Sequence, residues 1–200
     1  MSQTIPHDLP IHPALATGVP VLTVEAAAWR KGSAVHLQYR IAAARPLLVM
    51  PTAGSGERRD GLWQHTCCEL FLGAATGSAY LELNLSPAGD WALYHFSGYR
   101  IRTTDLTAET PTVRTQWKGE NLWVDAAIDV ESWKIPWLAG QVRVGLSAVL
   151  EFDGSTRAYH ALAHARDVPD FHDERGWCAA LECFQKAEDY DANRARSAGD

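Results

Sequence analysis

Apolar and polar residues alternate with a period of two along most of the chain. Apolar residues occupy every second position over 35–41, 122–128 and 142–150. Successive side chains of a strand point to opposite faces, so this alternation is typical of strands with one buried face. We predict further strands near residues 20–27, 67–72, 79–86, 90–98, 112–118, 157–163 and 178–184.

Short turn sequences separate the predicted strands. The sequence PAGD at 87–90 suits a tight turn, because proline presets φ and glycine tolerates positive φ. The DG pair at 153–154 is a strong hairpin signal, whereas the single helical candidate, over 130–138, is short. Many short strands with little helix predict an all-β fold, an antiparallel β-sandwich. A barrel would need a closing register that the pattern does not reveal, so we favour two sheets.

The chain divides into three segments. Residues 1–19 contain three prolines and are expected to form an extended N-terminal lead-in. Residues 20–185 carry the strand patterns and predict one sandwich domain. Residues 186–200 are polar and are expected to form a flexible tail.

Composition narrows the range of partners. The formal net charge of −6, with scattered lysines and arginines, argues against a nucleic-acid or anionic-membrane partner. No apolar stretch approaches the ~20 residues of a membrane helix, and the N-terminus lacks a signal-peptide pattern. We therefore predict a cytoplasmic protein. The four cysteines match no common zinc spacing, so we expect buried thiols and no metal site.

Polar side chains occupy one face of two predicted strands. Over 80–86, leucines alternate with Tyr80, Glu82, Asn84 and Ser86, which present hydrogen-bonding groups and an aromatic ring. Glu69 is a carboxylate in an otherwise apolar strand. Burial of an unpaired carboxylate is costly, so Glu69 needs a partner or an opening to solvent. These strands indicate a ligand-binding face.

The spacing of these residues resembles a known superfamily. Trp63, Glu69 six residues later, the strand end Phe71-Leu72 and the hairpin YLELNLSPAG at 80–89 resemble DOMON-like proteins and family 9 carbohydrate-binding modules. The segments HTCCELFLG, NLSPAGDWALYHFSGYR and ALAHARDVPDFHDERGW are similar to a bacterial group of stand-alone DOMON-like proteins of undefined function. The resemblance spans roughly residues 20–184. It implies a sandwich of the immunoglobulin-like jelly-roll type that binds sugar or haem.

The resemblance also implies roles for individual residues. In the sugar-binding modules, two tryptophans clamp a terminal saccharide, and carboxylate, Asn and Arg side chains bind its hydroxyls. Trp63 and Glu69 match that spacing, Arg100 would supply the basic group, and Trp177 would be the second clamp. His65-Thr66 stands where the family has an Asp-Asp pair.

We therefore predict a noncatalytic domain that binds a small, saccharide-like ligand without a cofactor, metal or catalytic residue. Indole rings stack on sugar C–H faces, while carboxylates and amides bind vicinal hydroxyls. Cross-strand spacing brings the acids and the amide within reach of one another. The predicted ligand-binding residues are Trp63, Glu69, Tyr80, Glu82, Asn84 and Arg100. A protein partner is not predicted.

Haem binding, as an electron-transfer or sensor domain, is one alternative. Haem-binding relatives use Met with His or Lys as axial ligands. Met50 follows an apolar strand-like segment, and the histidines available to pair with it are His95, His164 and His172.

A carboxylate-dependent hydrolase or lyase is another alternative. Glu69 and Glu82 would act as an acid and base pair, with His65 nearby. The acidic segment 167–177 would ligate a divalent metal or, more simply, form a polar surface loop anchored by Phe171. A purely structural alternative pairs Glu69 with Arg100 or Arg102.

Overall fold

The computed structural model describes residues 6–15, 19–20, 22–52, 54–103, 106–153 and 156–177. These residues form two stacked antiparallel sheets, which confirms the predicted all-β sandwich. The strands are β1 (His7–Asp8), β2 (Thr23–Lys31), β3 (Ala34–Ala42), β4 (Cys67–Ala74), β5 (Tyr80–Leu85), β6 (Trp91–Gly98), β7 (Ile101–Arg102), β8 (Thr112–Lys118), β9 (Asn121–Asp129), β10 (Val142–Glu151) and β11 (Arg157–Ala161). The first sheet has the order β1-β2-β3-β9-β8, and the second has the order β11-β10-β4-β5-β6-β7.

Helical structure in the described residues is limited to short 3-10 turns. These turns are Pro13–Leu15, Arg45–Leu47, Leu62–Gln64, Glu131–Trp133, Pro136–Ala139 and Glu174–Gly176. The helical candidate at 130–138 is thus two separate turns, because Lys134 adopts a left-handed conformation and Pro136 lacks an N–H donor. None of the described helices is long and apolar enough to cross a membrane. The strand predicted at 178–184 lies outside the described residues.

The main core lies between the two sheets, as the period-two pattern requires. Val35, Leu37 and Ile41 of β3 face Leu70 and Leu72 of β4 within one buried cluster. Each fully buried side chain of this kind contributes roughly 1.5–3 kcal/mol relative to an exposed one. The leucines at 81, 83 and 85 join the same core, so the polar side of β5 must face outward.

The outer face of the second sheet is also covered. Every residue of β4 and β5 is buried. A second cluster on that face contains Phe71, Tyr80, Ala92, Tyr94, Phe96 and Trp177. The segment 163–177, called here the cover loop, lies over one end of this face and contributes Trp177. The cover loop and the second sheet together enclose the polar residues of β4 and β5.

The N-terminal segment connects the two sheets. His7–Asp8 pairs with β2 at the edge of the first sheet, whereas Ile11 bridges to His160 at the edge of the second. The backbone N–H of Leu9 donates to the Val24 carbonyl. This part of the predicted lead-in is therefore integrated into the sandwich.

The two described cysteines are free and buried. Cys68 belongs to the core between the sheets, whereas Cys67 occupies the opposite side of β4. Cys178 and Cys183 lie outside the described residues.

Candidate functional site

A cleft of about 1130 Å³ opens on the outer face of the second sheet. Its floor is the sheet itself, and its sides are formed by the 3-10 turn at 62–64, the cover loop and the segment 100–102. Its lining includes Asp60, Trp63, Gln64, Glu69, Phe71, Glu82, Tyr94, Phe96, Arg100, Arg102, Arg157, Tyr159, Phe171 and His172. The cleft thus combines aromatic rings with charged side chains of both signs.

Two carboxylates and one amide form the polar centre of the floor. Glu69 of β4 lies directly opposite Asn84 of β5, and Phe71 lies opposite Glu82. The exposed fractions are 3% for Glu69, 5% for Glu82 and 0% for Asn84. Because residues 82 and 84 share one face of β5, the antiparallel register brings all three polar groups to one place.

Few polar contacts support the two acids. The Ser147 hydroxyl donates to Glu69 Oε2 over 3.3 Å. The Asn84 amide Nδ2 donates to Glu82 Oε1 over 2.8 Å. The oxygen of the same amide, Asn84 Oδ1, is buried and has no hydrogen-bond partner among the described residues. This site therefore has more acceptors than donors.

Burial shifts the titration of both acids. It raises the pKa of Glu69 well above its usual range, and the nearby Glu82 charge raises it further. Burial raises the pKa of Glu82 to about 7, although the Asn84 hydrogen bond and the positive charges of Arg100 and Arg102 act in the opposite direction. Desolvation therefore outweighs the available stabilisation of the charged forms.

An exposed indole lies at the rim. Trp63 lies in the 3-10 turn at 62–64, lines the cleft, and is 51% exposed. Exposure of half of a large aromatic ring is unfavourable in a free protein, so such a ring is typical of a binding surface. The predicted convergence of Trp63 and Glu69 on one solvent-accessible hollow is present.

Tyr80 and His172 connect the sheet to the cover loop. The Tyr80 hydroxyl forms a hydrogen bond with His172 Nδ1 and also accepts from the backbone N–H of Arg100. Burial lowers the pKa of His172 to about 4, and the positive charge of Arg100 contributes to this lowering. His172 is consequently neutral near pH 7 and lies at the cleft wall without a positive charge.

The rim arginines are held in ion pairs. Arg100, in a left-handed conformation with φ of 57°, places its guanidinium 2.9 Å from Asp170 of the cover loop. The Arg102 guanidinium lies 3.6 Å from Asp60 and above the ring of Tyr94. Glu69 has its polar contact with Ser147 instead, so the structure gives no support to the alternative in which Arg100 neutralises it.

Four of the six predicted site residues line the cleft. These are Trp63, Glu69, Glu82 and Arg100. Tyr80 and Asn84 are buried next to them and contact lining residues through the hydrogen bonds described above. Tyr94, Phe96 and Arg102 were not predicted, although the period-two pattern of β6 places residues 94 and 96 on the same face as Glu82.

The second clamp tryptophan is a different case. Trp177 is 7% exposed, packs on Phe71, and donates its Nε1–H to the Phe171 carbonyl. Its ring lies so close to Gly73 that a Cβ at this position would be 2.6 Å from Cζ3. The interpretation of Trp177 as a stacking platform is therefore wrong, because this ring is a buried anchor of the cover loop.

The residues considered for haem do not converge. Met50 packs against the core between the sheets, whereas His172 lies at the cleft on the outer face. His164 contacts the Pro10 carbonyl through Nε2, and His95 contacts Thr103 through Nδ1. In the described ranges, no group of three or more His, Cys, Asp or Glu side chains has the arrangement of a metal site.

Comparison with solved structures identifies the fold. The chain is similar to a protein presumed to bind carbohydrate, from Bacteroides uniformis, with a TM-score of 0.56, 14% identity, and coverage of 88% of this chain and 84% of the other. It is also similar to a family 9 carbohydrate-binding module from Caldicellulosiruptor kristjanssonii in complex with cellotriose, with a TM-score of 0.51, 12% identity, and coverage of 89% and 79%. The chain therefore has a fold like that of carbohydrate-binding modules. A scan of protein-family models and a search of curated proteins found no match.

Proposed function

We propose that this protein is a noncatalytic saccharide-binding domain. The observation that carries this proposal is that the exposed indole of Trp63 shares one cleft with the acids Glu69 and Glu82. A sugar ring offers C–H faces for an aromatic ring and hydroxyl groups for carboxyl and amide groups. The cleft presents both kinds of partner at once.

The dimensions and the fold agree with this proposal. Small-molecule sites are usually clefts of about 300–1,000 Å³ with a few convergent polar groups, and this cleft is of that order. Two solved structures of similar fold are described as carbohydrate-binding, and one of them holds cellotriose. We propose in addition that the protein is a cytoplasmic, bacterial, DOMON-like protein that acts without a cofactor and has no nucleic-acid or membrane partner.

Calorimetric titration of the full chain with glucose, cellotriose and a panel of neutral sugars tests the proposal. We expect saturable binding that Trp63→Ala weakens at least about tenfold, because the ring contact is lost, and that Trp63→Phe partly restores. Trp123→Ala is the matched control, since Trp123 is a partly exposed indole on the first sheet, beneath Lys118. Failure of every sugar to bind, or equal losses in the two alanine variants, would reject the proposal.

Acid–base catalysis is the second candidate function. The observation in its favour is the pKa of Glu82, which burial raises to about 7, next to a second acid in an open cleft. A general acid works best with a pKa near the operating pH. Hydrolytic or lyase turnover of a bound sugar, lost in Glu69→Gln with the fold intact, would establish this function. Binding without turnover supports the noncatalytic function.

A further inference from the structure

The close polar contacts of the two acids at the cleft floor are neutral groups in the described ranges of the chain. Among the described residues, Glu69 has its polar contact with the Ser147 hydroxyl, and Glu82 contacts Asn84 and lies 3.6 Å from the His172 ring. His172 is neutral near pH 7. Two charged carboxylates buried side by side without a counter-ion are unfavourable, so the free protein favours their protonated forms, and a bound cation would favour their charged forms.

The ion pairs of the lining arginines lie at the rim, and only their longer-range positive charge acts on Glu82. Arg100 and Arg102 are about half exposed at the rim. Arg100 forms an ion pair with Asp170, and Arg102 forms one with Asp60. Arg157 donates to the Gln64 carbonyl and lies at the start of β11. The register places Glu69 beside Ser147 and Ser147 beside Ala161, at the end of β11, so Arg157 lies four residues along the strand from the position level with Glu69. The cleft thus has arginines at its mouth, where they form ion pairs, and acids at its floor.

A buried orphan acceptor gives an independent indication. Asn84 Oδ1 is fully buried and has no hydrogen-bond partner in the part of the chain that the structure describes, although buried polar atoms in folded proteins nearly always have one. The amide orientation is set by its Nδ2 donation to Glu82, so Oδ1 stays an acceptor. In their charged forms Glu69 and Glu82 are acceptors only, so together with Asn84 Oδ1 they present more acceptors than donors at the floor.

An ammonium group matches this arrangement. It carries three N–H donors and no acceptor, whereas a hydroxyl group carries one donor. Its single positive charge would stabilise the charged forms of the two acids, and aromatic rings around a cation add a further attraction of about 0.5–2 kcal/mol. Such rings line the cleft at Trp63, Phe71, Tyr94, Phe96, Tyr159 and Phe171.

We propose that the cleft selects saccharides with a free protonated amino group, which Glu69, Glu82 and the Asn84 carboxamide oxygen would bind at the floor. The sugar ring would lie toward Trp63 and the rim arginines. This inference rests on the proposed saccharide-binding function and names the chemical class of its ligand.

Titration of the full chain with glucosamine, glucose and N-acetylglucosamine at about pH 7 tests the inference, because an amino group of ordinary pKa is mostly protonated there and Glu82, with a pKa of about 7, is partly charged. N-acetylation removes the charge and keeps the sugar ring. Hydrogen bonds to charged groups contribute 1.5–3 kcal/mol, so we expect glucosamine to bind about 10- to 100-fold more tightly than the other two sugars.

Matched variants locate the effect. In Glu69→Gln and Glu82→Gln, which keep the side-chain shape, we expect the preference for glucosamine over glucose to fall to within about twofold. Glu120→Gln changes an exposed acid in the turn between β8 and β9 and should leave the preference unchanged. The ligand series on the unmodified chain keeps the test decisive even if a variant does not fold.

The outcomes separate the two proposals. If glucose and N-acetylglucosamine bind as tightly as glucosamine, the amino-group inference is rejected and saccharide binding stands. If none of the three binds and no neutral sugar binds, both are rejected. A glucosamine preference that survives both glutamine substitutions would place the amino group elsewhere and overturn the inference.

Discussion

The hydroxyl oxygen of Tyr80 lies 2.7 Å from Nδ1 of His172. The other contact of that oxygen, the Arg100 backbone N–H, is a donor, so Nδ1 is the acceptor that the described residues offer to the Tyr80 O–H. His172 then carries its ring proton on Nε2, which faces Glu82 Oε2 at 3.6 Å. One hydrogen bond thus attaches the cover loop to the sheet and sets which nitrogen of His172 faces the cleft floor.

Tyr80→Phe should destabilise the protein by about 1–3 kcal/mol, because the buried Nδ1 of His172 loses its donor. Urea unfolding at neutral pH measures this loss. Tyr99→Phe is the matched control, since Tyr99 also contacts the cover loop, through Asp170, but is 48% exposed. We expect the control to lose less than about 1 kcal/mol. Equal losses would show that the Tyr80 bond has no special role.

Glu82 should make stability depend on pH. Burial raises its pKa from 4.5 to about 7, so the folded state retains a proton that the unfolded state releases. This stabilisation is complete below about pH 4.5 and is lost as the pH rises through about 7. His172 acts in the opposite direction, because its lowered pKa favours folding above about pH 6.5 and that contribution is lost as the pH falls toward 4.

Glu82→Gln therefore should increase the free energy of unfolding by up to about 3 kcal/mol at about pH 8 and change it little at about pH 5. Urea titrations at the two pH values measure the difference. Glu120→Gln, an exposed acid, should change neither value by more than about 0.5 kcal/mol. A Glu82→Gln effect of the same size at both pH values would contradict the titration argument.

Gly145 provides the space in which Trp177 packs. A Cβ at Gly145 would be 2.8 Å from the Trp177 indole nitrogen. Gly145→Ala should cost about 1–3 kcal/mol through overpacking and should shift the tryptophan fluorescence, because the indole must move. In Gly140→Ala the added Cβ would meet its nearest neighbour at 3.7 Å, so stability should stay within about 0.5 kcal/mol. An unshifted spectrum in Gly145→Ala would count against this packing.

Asp90 holds the glycine-rich loop 54–61 against the sheet. Its Oδ1 accepts the backbone N–H groups of Ser55, Gly56 and Glu57, and its Oδ2 lies 3.1 Å from Arg59 Nε. Asp90→Ala should cost about 2–3 kcal/mol, because several donors lose a charged acceptor. Hydrogen exchange should become faster in 54–60 and leave β9 unchanged. Glu109→Ala, at an exposed acid, is the control, and the same exchange pattern in both variants would refute the anchoring role.

The strands of this protein could be predicted because their signal is local. Alternation over 35–41 and 122–128 places one side of each strand in the core, and the strands there follow that pattern. The shared face of Glu82 and Asn84 follows from the same rule. Glu69 could be assigned to the site because a carboxylate in an apolar strand is costly to bury unless it has a polar partner or an opening to solvent.

The lining aromatic residues were harder to predict. Tyr94 and Phe96 look like ordinary core residues in the sequence, because aromatic rings in strands usually pack inside. Their place at the cleft depends on which side of β6 faces the other sheet. The helical candidate at 130–138 was divided into turns by Lys134 and Pro136, a local effect that hydrophobic periodicity does not detect.

The sequence alone determined the two-sheet architecture and the polar face of β4 and β5, since period-two alternation depends on neighbouring residues only. The tertiary structure decided which distant residues meet. Trp177 packs over Gly73, His172 forms a hydrogen bond with Tyr80, and Arg100 forms an ion pair with Asp170. Each of these contacts joins residues about 70 or more positions apart. Their pairing depends on how the cover loop crosses the sheet, and no local pattern of side chains encodes that path.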